Sequence, residues 1–153
     1  GDAKGAEQAL LDLAETASGG YPAAAAMRAA GARAEAGEAQ AAVAAFDALA
    51  RDPKTPPRLA EVARLRAAYL AVDVEDRAAV EARATPLAAA GAPWRGPARE
   101  VLALAAWKAG DLAAVTARVA EIEADAETPR DLADRIALLS ALVKAQGTSG
   151  KAN

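Results

Sequence analysis

The sequence predicts an all-α protein built of antiparallel helical hairpins, about seven or eight helices in all. Three observations predict it. Hydrophobic residues make up 54% of the 153 positions, yet only five are aromatic, so the apolar content is mostly alanine with leucine and valine behind it. Alanine is the best helix former and lets helices approach closely. No segment alternates Val, Ile, Thr or Tyr as a half-buried strand would. Finally, Gly or Asp corners recur at Gly37, Asp73 and Gly110, 36 and 37 residues apart.

Taken in order, residues 5–18 read as a first helix with Leu10, Leu13, Ala14 and Ala17 on one face, broken by Ser18-Gly19-Gly20-Tyr21-Pro22. The second helix spans about 22–36, weakened by Gly31 at a cost of ~1 kcal/mol against Ala. Gly37-Glu38 turns the chain into a third helix over 38–51, carrying Ala39, Ala42, Phe46 and Leu49 and ended by Asp52-Pro53. After the Lys54-to-Pro57 linker, a fourth helix over 57–72 shows Val62, Leu65, Tyr69 and Val72 as an amphipathic stripe. Asp73 to Asp76 makes the next corner. The fifth helix, 76–90, contains Pro86, which removes a hydrogen bond and collides with the preceding turn, so a kink or break is expected near Arg83 to Thr85.

The segment from Pro93 to Ile122 is one helix, a corner and a second helix folding back. Pro97 suits a first helical turn, Gly110 a left-handed helix end, and Asp111 the N-cap of the next helix. Leu112, Val115, Val119 and Ile122 form its apolar stripe. Thr128 is placed to cap the last helix, with Pro129 in the first position. That helix runs to about Lys144 on Leu132, Ile136, Leu139 and Val143, with Asp131 and Arg135 paired at i,i+4. Residues 1–4 read as a tag scar and unstructured start, 5–145 as a single domain, and 146–153 as a flexible tail.

The corner spacing lies close to the ~34-residue tetratricopeptide (TPR) period. Ala42 and Phe46 fit the Ala-x3-aromatic pattern of its second helix, and Pro53 follows near the expected place. Val115 and Val119 replace those letters in the later hairpin, and Ala78 and Ala82 in the middle one. The expected architecture is a degenerate TPR-like α-solenoid of about three hairpins with a flanking helix at each end.

Charge and composition exclude several function classes. Net charge is −3, both signs are interspersed, and no basic block has the length of a nucleic-acid arm, so no nucleic-acid partner is expected. With no cysteine and no histidine, disulfides, Cys/His zinc sites and His-dependent triads are all ruled out. No run approaches the ~18 apolar residues of a membrane span. There is no Gly-rich phosphate loop. No catalytic residue, metal or cofactor is expected, and the chain reads as a non-enzyme.

The block Pro93-Trp94-Arg95 through Leu104, followed by Gly110-Asp111 and then Thr128-Pro129 before a leucine-rich last helix, resembles a known family. It is similar to the alphaproteobacterial TPR-like domain of YfgM-type inner-membrane proteins, ancillary subunits of the Sec translocon, over roughly residues 5–145. The resemblance implies a periplasmic domain held to the inner membrane by one N-terminal helix, a role in translocon contact and periplasmic chaperone networks, and no catalytic residues. Gly1 reads as the scar of tag removal, so the anchor is expected upstream of this sequence.

Candidate partner-binding residues carry two readings each. Trp94 and Arg95 are either a partner-binding anchor or structural, Trp94 filling the gap at the Pro86 kink and Arg95 pairing with a carboxylate of the 76–90 helix. In a TPR hairpin the first helix lines the concave face, which would gather Met27, Leu70, Leu104 and Trp107 in an apolar groove with Glu100 and Lys108 at its edge. Trp107 packed beneath the last helix is the competing placement. Arg58, Arg64, Arg66, Arg95 and Arg99 form either a strip for acidic peptide termini or a set of solvated and locally paired cations. Function then divides between a protein-interaction domain with a protein or peptide partner and a self-associating structural domain.

Overall fold

The computed structural model describes residues 5, 8–10, 12 and 21–149. These are helical wherever regular structure occurs, with no strand among them. Seven α-helices are bounded here: α1 Tyr21–Glu35, α2 Ala39–Arg51, α3 Pro57–Val74, α4 Arg77–Ala84, α5 Arg95–Lys108, α6 Leu112–Glu123 and α7 Arg130–Ser149. A short 3-10 helix, Thr85–Leu87, follows α4. Of the expected 5–18 helix, the described positions are helical and Gln8 donates to Asp12 at 2.8 Å. Leu13, Ala14, Ala17, the Ser18–Gly20 break, the 1–4 start and the last four residues of the expected tail lie outside the described residues.

The corners at Gly37 and Gly110 form for the reasons the sequence suggests, whereas Asp73 is still helical, α3 running to Val74 and the turn falling at Glu75 and Asp76. Gly37 and Gly110 adopt φ of 81° and 73°, the left-handed region that glycine enters without a Cβ penalty. Asp111 caps α6 by accepting from Ala114 N at 3.0 Å. Asp76 Oδ1 likewise accepts from Ala79 N at 2.8 Å as α4 begins. The chain breaks at the expected proline: α4 stops at Ala84, and Pro86 occupies the first turn of the 3-10 helix. Two expectations about the last helix need correction. Thr128 does not cap α7; its hydroxyl donates at 2.8 Å to Ile122 O, which also accepts from Asp125 N at 3.2 Å where α6 ends. The last helix also continues past Lys144 to Ser149, because adding residues to a formed helix costs little even through Gly147.

Contacts divide the chain into two compact units, residues 1–79 and 80–153, with the division inside α4. The sequence reading has one domain over 5–145. It also takes 57–90 as one hairpin, and the division falls within that span. In the first unit, α1 and α2 form a hairpin and α2 packs most extensively on α3. Its core is Ala25, Met27, Ala29 and Ala30 of α1, Ala42, Val43 and Phe46 of α2, and Ala63, Leu65, Ala67, Ala68 and Ala71 of α3. On α3 the stripe expected at Val62, Leu65, Tyr69 and Val72 is not the buried face. Only Leu65 of that set is buried, while Ala63, Ala67, Ala68 and Ala71 are sealed completely. Small side chains at i and i+4 let neighbouring backbones close in, and that gain in packed area outweighs the size of any single larger residue.

In the second unit α5 and α6 form a hairpin, α7 packs on α6, and the 3-10 helix packs on α5. Val115, Val119 and Ile122 meet Leu132, Ile136 and Leu139 over Ala103 and Ala106, with Trp107 and Val143 packed at the margin. Gly96, in the first turn of α5, sits close against α7. A Cβ built there would stand 2.8 Å from Leu132 Cδ2, a side chain that is itself buried.

Candidate functional site

The second unit holds six of the eight residues singled out from the sequence, on and just before α5. At its C-terminal end Leu104 and Trp107 are half-buried and Lys108 is exposed. Trp107 packs against the core cluster drawn from α5, α6 and α7, while the rest of its surface stays open beside Leu104. Lys108 adds a long cationic side chain next to this apolar pair.

Glu100 lies elsewhere than expected. It is 6% exposed, not at the edge of a groove, and both its carboxylate oxygens are taken by one arginine of α7. Arg135 Nε donates to Oε1 at 2.7 Å and Nη2 to Oε2 at 2.9 Å. The remaining Nη1 reaches Asp131 Oδ2 at 3.1 Å, so the expected i,i+4 pair forms as part of a larger network. A carboxylate withdrawn this far from water is tolerated because the fork-to-fork geometry fills its lone pairs.

Arg95, too, is committed. Its Nε and Nη2 grip the two oxygens of Asp125, Nη2 also donates to Glu127, and Nη1 donates to Ala92 O at 3.3 Å. The partner carboxylates are in the α6–α7 corner and not on the 76–90 helix, which corrects the pairing expected from sequence. Arg99 adds Nη1 to Asp125 Oδ2 at 3.4 Å and donates to the carbonyls of Ala88 and Glu121, each at 3.3 Å. The hydrogen bonds from Arg95, followed by that from the Glu127 amide, hold the Asp125 carboxyl at about 2, below its ordinary value of 3.8. The same bonds to Asp125 and Glu127 raise the Arg95 guanidinium. Around this cluster lies an open pocket of about 680 Å³, lined by Ala90, Gly91, Arg95, Arg99, Glu121, Ala124, Asp125, Ala126 and Glu127. Two cations meet three carboxylates there, and the geometry braces the corner. Trp94 precedes this cluster, half-buried, with its carbonyl accepting from Ala98 N at 2.9 Å.

In the first unit Met27 is only 7% exposed and belongs to the core, so its surface is not available as a groove lining; Leu70 is half-buried. Arg66 of α3 stands 5.9 Å from the centroid of the Phe46 ring, within cation–π range. A groove of about 270 Å³ is lined by residues of α1 and α2, mostly alanines with Leu49 and Arg33, and by Asp52 just beyond α2.

Sequence reasoning missed the Glu100–Arg135 and Arg95–Asp125 links, whose partners are 35 and 30 residues apart. It also missed an apolar face on α7, where Leu138 is 66% and Leu142 47% exposed. That last signal was present as leucines at i and i+4. Among the described residues no three acidic side chains converge to hold a metal ion, and no helix is long and apolar enough to cross a membrane. Compared with protein-family models, with curated proteins and with solved structures, the chain matches none.

Proposed function

We propose that this chain is a non-enzymatic, TPR-like helical-repeat domain that holds a protein or peptide partner, the periplasmic part of an ancillary Sec translocon subunit anchored in the inner membrane. The observation that carries the interaction reading is the outer end of α5. Leu104 and Trp107 leave apolar surface open beside the exposed Lys108, on the first helix of a packed hairpin. An aromatic fixed by its own core and open on one side loses little entropy when a partner covers it, and Trp is the residue most enriched at binding hot spots. The location and the partner class rest on the Pro93-to-Leu104 and Gly110-Asp111 resemblance.

A photoreactive side chain in place of Lys108, in the membrane-anchored protein, tests this reading. Adducts with the translocon channel or with periplasmic chaperones are expected there, several-fold above those from the same group at Arg118 on α6. Equal yields at the two positions, or none at either, would defeat it.

A further inference from the structure

The last helix is apolar on two sides. One side, Leu132, Ile136, Leu139 and Val143, faces the core of its own unit. The other carries Leu138, Ala141, Leu142 and Ala145 at i, i+3, i+4 and i+7, all exposed. A helix with two such stripes is suited to being covered on both.

The spacing of the outer stripe identifies what covers it. Read backwards, Ala-x-x-Leu-Ala-x-x-Leu is the same pattern with leucine and alanine exchanged. A twofold interface brings a patch against itself, so it must be complementary to its own image. We propose that α7 pairs antiparallel with α7 of a second copy of this chain, about an axis passing between Ala141 and Leu142. Leu138 then rests on the copy's Ala145, and Leu142 on the copy's Ala141, each large side chain meeting a small one. Contact of that kind brings the helices close and leaves no void.

The charges select the same orientation. The acidic groups near this face, Asp131 and Asp134, are both at the N-terminal end of α7, and Arg135 beside them is engaged with Glu100 and Asp131. Parallel pairing would set each aspartate against its own copy. Antiparallel pairing separates the two Asp134 carboxylates by about 22 Å at the 1.5 Å rise of a helix. Arg130, at the first turn, is far from the axis, and Lys144, about 4 Å from it along the helix, lies on the flank of the stripe and not within it. One helix face covers less than the roughly 1,200 Å² of a standard interface, so the pairing is weak and concentration-dependent.

Sedimentation equilibrium of the 153-residue chain up to about 1 mM, where even millimolar association registers, tests it. The mass is expected to climb from monomer toward dimer. Leu138→Glu and Leu142→Glu, both at exposed helical positions, should each raise the dissociation constant at least ~tenfold, while Ala133→Glu, on another face, leaves it unchanged. The chain has no cysteine of its own, so single substitutions report geometry. Ala141→Cys, beside the axis, should oxidise to a linked dimer much faster than Ala145→Cys, whose two copies lie about 10 Å apart along the helices. A monomer throughout, a dimer indifferent to both glutamates, or a thiol at position 145 linking as fast as one at position 141 would overturn the proposal. None of these outcomes bears on whether Lys108 meets an envelope partner.

Discussion

The two units solve the same packing problem with different materials. Among the described buried hydrophobic residues, eight of twelve in the first unit are alanine, against five of fifteen in the second. The first unit relies on closely approaching helices around one large anchor, Phe46. The second fills its interior with Val, Ile and Leu and then ties its helices together with Arg95–Asp125 and Glu100–Arg135. One ion pair of the first unit, Arg51–Asp47, is local, at 3.8 Å and with its arginine largely in solvent. Surface pairs of that type contribute little. The first unit thus draws its core mainly from small residues, with the Arg66–Phe46 contact laid over it, while the second adds long-range ion pairs to a core of larger aliphatics.

The largest effect should come from removing the first unit's anchor. Phe46→Ala empties a side chain that is 1% exposed, in surroundings of alanine that have little to give by way of collapse. A loss of about 3–5 kcal/mol is expected, read as a lower urea midpoint by circular dichroism and as lost amide protection across α1–α3. A loss near ~1 kcal/mol would mean the alanine faces alone hold the unit.

The next test strikes the second unit's brace. Arg135→Ala strands the Glu100 carboxylate, and the cost of breaking a buried pair is about 3–5 kcal/mol, reduced to about 1–3 because water reaches the half-exposed arginine. Combining it with Glu100→Gln should recover part of that loss in the same denaturation experiment. No recovery would show that packing by the arginine stem, and not charge, holds α7 to α5.

The smallest expected effect is acid sensitivity of the α6–α7 corner. Asp125 is depressed to about 2 from 3.8 by Arg95 and then by the Glu127 amide. A carboxyl lowered in the folded state stabilises above its unfolded value, and that contribution fades as pH falls from about 4 toward 2. Emission from Trp94, next to Arg95, should change across that window. Arg95→Met should flatten the change; an unaltered profile would take Asp125 out of the account.

What was legible in the sequence follows the range of the interaction involved. Corners depend on one or two residues, so Gly37, Gly110 and Asp111 announced them. The α6 and α7 stripes are periodic in large aliphatics, and Val115, Ile122, Leu132 and Ile136 are buried as their spacing implies. On α3 the same logic misled, since Val62, Tyr69 and Val72 stand out on the page while the alanines between them do the packing. Of the candidate site, the sequence leaves both readings of Trp107 open and sets Met27 and Glu100 on an open surface, whereas both are buried. Counting back from a corner does not say which face of α1 Met27 presents, and the partner of Glu100 is 35 positions away. Pairings of that kind are decided only when helices have already docked.

The alanine row on α3 also limits how this chain can change over evolutionary time. Ala63, Ala67 and Ala71 occupy successive turns with no accessible surface at all, so any heavier replacement must push a neighbouring helix outward unless the facing position shrinks in the same step. Variation in that half of the protein is therefore expected to accumulate on its outer rim, at residues such as Arg58 and Glu61, while the inner rungs stay nearly silent. A survey of natural variants would see a ladder of invariant small residues that marks tolerance limits and not a binding surface.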